Sequence, residues 1–120
     1  MILGMGTDIV EIDRIKAAVE KWGDQFLRRV FCPEEIEYSY QHTFPYPHLA
    51  GRFATKEAVL KAFGRNAGIA WTDMKILNDR NGKPCCFYQK PFDDEILLSL
   101  SHTKHYAVAN AIIQTKQKNA

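Results

Sequence analysis

The segment from Gly51 to Gly64 holds the side chains whose types and spacing best suit chemistry on phosphates. Glu57 and Lys61 are four residues apart, so in a helix they lie side by side on one face. Arg52 and Lys56 precede them with the same spacing, which places three cations around one carboxylate. This set suits a metal ion with phosphate groups. A solvated helix face with ordinary i, i+4 ion pairs explains the same spacing, and both interpretations stay open on spacing alone.

A second candidate carboxylate lies near the N-terminus. Asp8 follows an apolar segment that reads as a strand, and a carboxylate at a strand end is a suitable ligand for Mg²⁺, which prefers oxygen donors and keeps several waters and substrate phosphates. The alternative is that Asp8 caps a helix that begins near Glu11. Glu11 is a weaker third ligand candidate, better explained as a residue of the surface or of the helix start.

A polar run closes a strand-like segment near the C-terminus. Residues 96–103 alternate, which places His102 on the same face as three apolar side chains and directs it toward the core or toward a cleft at the strand end. A lone histidine on such a face is usually structural. Within Ser101-His102-Thr103, a phosphate contact is the favoured interpretation. The remaining histidines have no such context and are taken as structural: His42, His48 and His105.

Periodicity predicts the elements that position these residues. Apolar residues from Ile12 to Phe26 recur at steps of three and four, as in an amphipathic helix, and Gly23-Asp24 should interrupt it. In the long helix, Phe53, Leu60 and Phe63 are expected to form the buried stripe, with Ala58 and Ala62 between them. The predicted elements are a strand over 2–10, helices from 12, from 33 and over 48–63 after a loop at 42–48, and strands over 71–78, 84–89, 96–103 and 106–114. They indicate an α+β fold, with a long central helix packed on an antiparallel sheet formed mainly by the C-terminal half.

Bulk properties narrow the class of protein. The 120 residues predict a single domain, 1–120, and a net charge of +2 gives no sign of general nucleic-acid binding. The sequence shows no signal peptide, and its apolar runs are too short to span a bilayer. Cys32, Cys85 and Cys86 have neither disulfide nor zinc spacing, so we expect reduced thiols and a cytoplasmic location. The polar tail from Lys116 to Ala120 should fray.

Four motifs in order, covering nearly the whole chain, resemble the phosphopantetheinyl transferases and within them the small bacterial type, the holo-acyl-carrier-protein synthases. The motifs are GTDIVEI at 6–12, GRFATKEAVLKAFG at 51–64, NGKP at 81–84 and SHTKHYA at 101–107. The resemblance implies transfer of 4′-phosphopantetheine from coenzyme A to a serine of an apo acyl carrier protein, in support of fatty acid biosynthesis. Adenosine 3′,5′-bisphosphate is the other product.

The resemblance also assigns roles to residues of this chain. Asp8 and Glu57 would bind Mg²⁺, and Lys61 would stabilise charge as the bond to phosphorus breaks. The NGKP turn has a sufficient explanation as a β-hairpin, so it is only a possible contact for the nucleotide end of coenzyme A. The residues expected to contact coenzyme A are Arg52, Lys61, Asn81, Gly82, Pro84, Ser101, His102 and Thr103.

The charge distribution and the resemblance together predict which partners the chain binds. Carrier proteins of this class are acidic, so the predicted docking surface is the basic face of the first helix: Arg14, Lys21, Arg28 and Arg29. A solvated helix face is the alternative for each of these residues. The resemblance further implies a homotrimer with active sites between subunits.

Two other functions fit the same residues. One is a magnesium-dependent hydrolase of coenzyme A that uses water in place of serine. The other is a non-catalytic module that binds an acidic partner through its first helix and does not need Asp8, Glu57 or Lys61.

Overall fold

Four α-helices and two antiparallel sheets are formed by residues 1–64 and 67–116, which a computed structural model of the chain describes. The tail from residue 117, for which we expect fraying, lies outside the described residues. The elements are β1 (Ile2–Glu11), α1 (Ile12–Trp22), α2 (Asp24–Val30), α3 (Pro33–Tyr40), α4 (Tyr46–Phe63), a 3₁₀ turn (Trp71–Asp73), β2 (Met74–Asn78), β3 (Pro84–Tyr88), β4 (Glu95–His102) and β5 (Tyr106–Gln114).

The main sheet has the strand order β1-β5-β4, and every pairing in it is antiparallel. Asp8 of β1 and Leu100 of β4 both pair with Ala109 of β5, so the N-terminal strand and the polar end of β4 flank the same central strand. β2 and β3 form a separate two-stranded sheet. The predicted α+β class is confirmed, and the structure adds that β1 belongs to the main sheet while the hairpin does not.

Two glycines allow α4 to lie directly on β1. A Cβ atom at Gly4 would come 2.0 Å from the carbonyl oxygen of Ala62, and one at Gly6 would come 1.9 Å from that of Ala58. No side chain fits at such distances, because the obstacle is backbone that cannot rotate away. The close approach brings the last two turns of α4, with Glu57 and Lys61, over the strand that holds Asp8.

Local signals explain most element boundaries. Gly23 has φ 55° and separates α1 from α2, as predicted. α4 begins at Tyr46, two residues before the predicted start, because Pro47 is tolerated in the first turn of a helix. The strand predicted from Trp71 begins only at Met74. The carboxylate of Asp73 accepts a hydrogen bond from the Ala70 amide (2.8 Å), which stabilises a 3₁₀ turn ahead of the strand.

The buried face of α4 differs from the predicted stripe. Phe53 and Phe63 are only partly buried, and they stack on Trp71 (5.2 Å between ring centroids) and Tyr88 (5.8 Å). The helix is covered by the main sheet on one side and by α3 and β2 on another, so a single stripe does not describe it. Its fully buried apolar residues are Leu49, Ala50, Ala54, Ala58 and Val59.

Lys56 is part of the core and not of a phosphate site. Its ammonium is fully buried, 2.5 Å from Glu35 Oε1, and donates a hydrogen bond to the carbonyl oxygen of Val30 (2.7 Å). The Glu35 carboxylate also accepts hydrogen bonds from the backbone amides of Cys32 (2.8 Å) and Ile76 (3.0 Å). The expectation of three cations around Glu57 was therefore wrong for Lys56, because α3 supplies a buried acid that holds it.

The structure also bears on the expectations about membrane-spanning segments and about the three cysteines. Within residues 1–64 and 67–116, no helix combines the length and apolar character needed to cross a bilayer. Cys32, Cys85 and Cys86 are all free thiols. Burial raises the pKa of Cys86 to about 12, so this thiol has little thiolate character and acts as a packing residue.

Candidate active site

Two carboxylates from different elements meet beside the main sheet. Asp8 projects from the face of β1 that α4 covers, and Glu57 lies half-buried on α4. The pKa of Glu57 is raised, first by burial, then by the negative charge of Asp8, and the nearby Lys61 ammonium opposes this shift. Two carboxylates that repel each other at a partly desolvated position are stabilised when a cation binds between them.

Lys61 completes this acidic site from α4. Its Nζ lies 3.1 Å from Asp8 Oδ1 and donates a hydrogen bond to the Thr7 carbonyl oxygen at 2.9 Å. The i, i+4 spacing left open a simple ion pair with Glu57, but the ammonium pairs with Asp8 because β1 passes directly under α4. Half of the Lys61 side chain is exposed, so the ammonium can exchange Asp8 for a ligand.

A cleft of about 390 Å³ opens beside the two carboxylates. Arg14 of α1 lines it together with Asp8 and Glu57, so one predicted docking residue borders the predicted catalytic residues. The rest of the lining is mainly apolar: Ile9, Val10, Ile15, Ala18, Phe26 and Phe53.

The donor set at the acidic site fits Mg²⁺. In the described part of the chain, no group of three or more His, Cys, Asp or Glu side chains is arranged to hold a metal ion. Mg²⁺ needs no such cage, since it is commonly held by one or two carboxylates with waters and substrate phosphates. Glu11, the weaker third candidate, lies three residues from Asp8 on the same strand and therefore on the opposite face of the sheet. It does not join the site.

Arg52 lies on a different side of α4. Arg52 is five positions before Glu57 in the helix, which corresponds to a rotation of about 140° around the helix axis. Its guanidinium lies 4.2 Å from the Tyr38 ring centroid, and Nη1 donates to the His48 carbonyl oxygen at 3.4 Å. Only 3% of the residue is exposed, and burial lowers the pKa of Arg52 against the effects of Tyr38 and Glu35.

Two histidines assigned as structural lie beside Arg52 and His102. The rings of His42 and His48 stack with centroids 3.6 Å apart, and the His48 and His102 rings are 6.0 Å apart. Sequence reasoning missed this cluster, although the i, i+4 spacing of His48 and Arg52 was a usable signal. The pKa of His48 is lowered to about 4, first by burial and then by the positive charges of His42, Arg52 and His102.

The remaining predicted coenzyme A contacts lie in two exposed turns. Thr103 Oγ1 accepts hydrogen bonds from the backbone amides of His105 (3.3 Å) and Tyr106 (3.1 Å), so it shapes the β4–β5 turn. Ser101 neighbours His102 on the strand and faces the other side of the sheet. Asn81, Gly82 and Pro84 belong to the β2–β3 hairpin, where Gly82 has φ 81° and the Asn81 amide donates to Asp79 Oδ1 (2.8 Å).

The four basic docking candidates are exposed but do not share one face. Lys21 Nζ lies 5.0 Å from the centroid of the exposed Trp22 ring, and Arg29 borders a hollow of about 220 Å³ with that same tryptophan. Arg28 instead lines a separate hollow of about 780 Å³ that also contains Asp24, Glu34 and Glu37. The break at Gly23 turns α2 away from α1, which is why spacing along one helix does not describe this surface.

The chain matches the family model of the 4′-phosphopantetheinyl transferase superfamily over residues 4–111. It is 48% identical to a holo-[acyl-carrier-protein] synthase of Protochlamydia amoebophila, with 93% of this chain and 98% of that protein covered. It is 45% identical to a protein of the same name from Thermodesulfovibrio yellowstonii, with 94% and 99% covered.

Solved structures agree with these matches. A holo-(acyl-carrier-protein) synthase from Bacillus anthracis in complex with coenzyme A (3′,5′-ADP) superimposes with a TM-score of 0.86 at 32% identity, covering 97% of this chain and 99% of that one. The Helicobacter pylori holo-[acyl-carrier-protein] synthase in complex with coenzyme A gives a TM-score of 0.82 at 30% identity, covering 92% and 99%.

Proposed function

Because the chain belongs to the 4′-phosphopantetheinyl transferase superfamily, we propose that it acts on coenzyme A at the cleft lined by Asp8 and Glu57, with Lys61 paired to Asp8 beside it. The reaction is transfer of the 4′-phosphopantetheine group to a serine hydroxyl of an apo acyl carrier protein, with adenosine 3′,5′-bisphosphate released. The modified carrier protein supports fatty acid biosynthesis. The observation that carries the location is that two carboxylates, from β1 and α4, line one cleft while the half-exposed Lys61 ammonium pairs with one of them, Asp8.

Asp8 and Glu57 would hold Mg²⁺ together with the diphosphate of coenzyme A. When bound, the metal would neutralise charge on the diphosphate and stabilise the leaving group. Lys61 would then donate hydrogen bonds to phosphate oxygens, since its Nζ already lies within 3.1 Å of the acidic site. Glu57 is the chain's own candidate for accepting the serine proton, because it is a half-buried carboxylate that lines the cleft.

Arg52, Ser101, His102, Thr103 and the Asn81–Pro84 turn would contact coenzyme A. Within one chain they lie in groups separate from the acidic site, and Arg52 faces another side of α4. An active site shared between subunits accounts for this separation, because the Arg52 side of one subunit can complete the cleft of the next. We therefore include in the proposal a homotrimer with sites at its interfaces.

The outer face of the main sheet suits contact with another copy of the chain. Met5 and Ile9 point away from α4 and are 68% and 63% exposed. Across the ladder they pair with Ile112 and Val108 of β5, so the apolar face continues over two strands. Exposed apolar sheet surface of this kind marks an interaction site. We also expect a cytoplasmic location, which suits the three free thiols.

The substitution Met5→Glu should disrupt the trimer and with it the activity. It places a charge in the centre of the proposed apolar interface, where desolvation without a partner is costly. Light scattering after size exclusion should show monomers, and the rate of transfer should fall by roughly a hundredfold if sites are shared. Phe87→Glu is the control, because Phe87 is a comparably exposed apolar residue on the separate hairpin. A strictly monomeric protein with full activity would refute the shared site.

Reversing the charge at Lys21 should weaken use of the carrier protein alone. The KM for the carrier should rise about three- to tenfold, because an exposed attraction becomes a repulsion, and the KM for coenzyme A should stay constant. Lys21→Glu is a sharper probe than Arg14→Glu, since Arg14 also lines the acidic cleft. Lys116→Glu makes the same charge change near the end of the described chain and should leave both KM values unchanged. Unaltered carrier kinetics in Lys21→Glu would remove Lys21 from the docking surface.

Intact-mass spectrometry tests the proposed reaction. An apo acyl carrier protein incubated with this protein, coenzyme A and Mg²⁺ should gain one phosphopantetheine group, and a chelator should prevent the gain. Release of the nucleotide from coenzyme A without any carrier protein would favour the hydrolase. Binding of a carrier protein with no turnover, unaffected by loss of Asp8 or Glu57, would favour the interaction module.

A further inference from the structure

Three histidines and an arginine form a compact group on the side of α4 that faces away from the acidic cleft. His48 and Arg52 lie on α4, His42 lies just after α3, and His102 ends β4. The His42 and His48 rings stack at 3.6 Å, and His102 meets His48 edge to face at 6.0 Å. We name these four residues the His–Arg cluster. It is accessible from solvent at His102, which is exposed.

The His–Arg cluster has an excess of donors. Arg52 Nε and Nη2 are buried, and neither finds an acceptor among the described residues. From α3, the Tyr38 ring lies against the guanidinium. The negative charge of Glu35 also favours the charged form of Arg52, but the Glu35 carboxylate is already paired with Lys56. Buried guanidinium N–H groups without acceptors are costly. The cluster therefore gains stability from an anion with several oxygen acceptors.

His48 has the capacity to take up a proton, and the His42 ring stacks on it. His42 Nδ1 lies 3.2 Å from the carbonyl oxygen of Tyr38, which can only accept, so Nδ1 carries a hydrogen and Nε2 remains free. Without a ligand the pKa of His48 is about 4, first through burial and then through His42, Arg52 and His102, so it is neutral at pH 7. A bound dianion opposes the repulsion among these groups and favours the imidazolium form.

We propose that His42 and His48 extend the coenzyme A contact of Arg52 and His102 into a phosphomonoester site that takes up a proton as the ligand binds. The inference rests on the proposed function, since it assumes that Arg52 and His102 contact coenzyme A. It adds two residues, and a pH dependence, to substrate recognition. Coenzyme A carries one phosphomonoester, at the 3′ position, and dephospho-coenzyme A lacks it, so the ligand itself offers a comparison.

The sign of the pH dependence follows from linkage. A complex that holds one more proton than its free components binds more tightly as pH falls, by up to about tenfold per pH unit. This gain applies above the pKa of the free His48, about 4, and ends at the higher pKa of the complex. Protonation of the phosphomonoester itself, near pH 6, acts in the opposite direction. Measurements between pH 6.5 and 8.5 avoid most of that second effect.

Titration calorimetry of coenzyme A into the protein, with Mg²⁺ and no carrier protein, measures the proton directly. At pH 7, titrations in two buffers of different ionisation enthalpy should show uptake of about half to one proton by the wild type. His48→Gln should lose most of that uptake, whereas His42→Gln should keep it, because the ring that takes up the proton is still present. Affinity should fall about three- to tenfold in these variants at pH 6.5 and much less at pH 8.5. His105→Gln removes an exposed histidine in the β4–β5 turn and should keep the uptake.

Side-chain NMR of the histidines separates a local effect from loss of folding. In the folded wild type the His48 ring should titrate near pH 4 when free, and at a clearly higher pH with coenzyme A bound. Dephospho-coenzyme A should bind without proton uptake. Three results would overturn the inference: wild-type binding with no uptake, uptake retained in His48→Gln, or equal uptake with dephospho-coenzyme A. A folded protein that binds no coenzyme A would contradict the proposed function itself.

Discussion

Asp8→Asn should lower the kcat for phosphopantetheine transfer by about a thousandfold or more while leaving the chain folded. The amide keeps the size of the side chain but loses the negative charge that the metal site needs. It also loses the ion pair with Lys61, whose ammonium lies 3.1 Å from Asp8 Oδ1 in the wild type. Intact-mass spectrometry of the carrier protein over time gives the rate, and a Mg²⁺ titration shows whether the loss lies in metal affinity.

The neighbouring acid on the same strand provides the matched control. Glu11→Gln removes the same charge three residues away, on the opposite face of β1, and should keep the wild-type rate within about twofold. Glu57→Gln should resemble Asp8→Asn, because both carboxylates contribute to one site. Transfer by Asp8→Asn at the wild-type rate, or transfer by the wild type that resists a chelator, would contradict the assigned metal site.

Lys56→Met should destabilise the protein by about 3 to 5 kcal/mol, a far larger effect than any exposed lysine should produce. The substitution leaves the Glu35 carboxylate in the core without its cation, where both side chains are fully buried. The expected loss of Tm is roughly 10 to 20 °C. Thermal or urea unfolding at one fixed protein concentration measures it, since association would otherwise change the apparent stability.

Two further variants show whether the buried charge is the cause. Lys56→Met combined with Glu35→Gln should be more stable than Lys56→Met alone, because the amide oxygen still accepts from the Cys32 and Ile76 amides and no unpaired charge remains. Lys75→Met breaks an exposed ion pair with Glu34 and should change Tm little. Equal stability of Lys56→Met and the wild type would show that Glu35 does not need the lysine.

Several elements follow from short-range rules and were predicted from the sequence. Asn81-Gly82 predicts a hairpin turn because glycine tolerates a positive φ, and it has φ 81° there. Gly23 predicts the break between α1 and α2 for the same reason. The alternation over β4 correctly places Leu98 and Leu100 on the side that α4 covers. Each of these signals depends on neighbours within a few residues, so no knowledge of the remaining chain is needed.

The candidate site depended on contacts between distant segments. By sequence, Lys56 and Lys61 of α4 are both cations close to Glu57, one position before it and four positions after it. In the structure Lys56 lies in the core and Lys61 pairs with Asp8. Likewise, the sequence singled out His102 from its motif but offered no reason to place His48 beside it, because the two histidines are 54 positions apart (102 − 48).

The sequence by itself therefore determined the family, the α+β class and the pairing of Asp8 with Glu57 as ligand candidates, because motifs and periodicity are local properties. Only the tertiary structure decided which charges are available for chemistry. That choice depends on which partner each α4 side chain meets: Glu35 from α3 for Lys56, Asp8 from β1 for Lys61, and Tyr38 with two histidines for Arg52. Burial and pairing are set by packing between distant segments, and spacing along one helix does not contain that information.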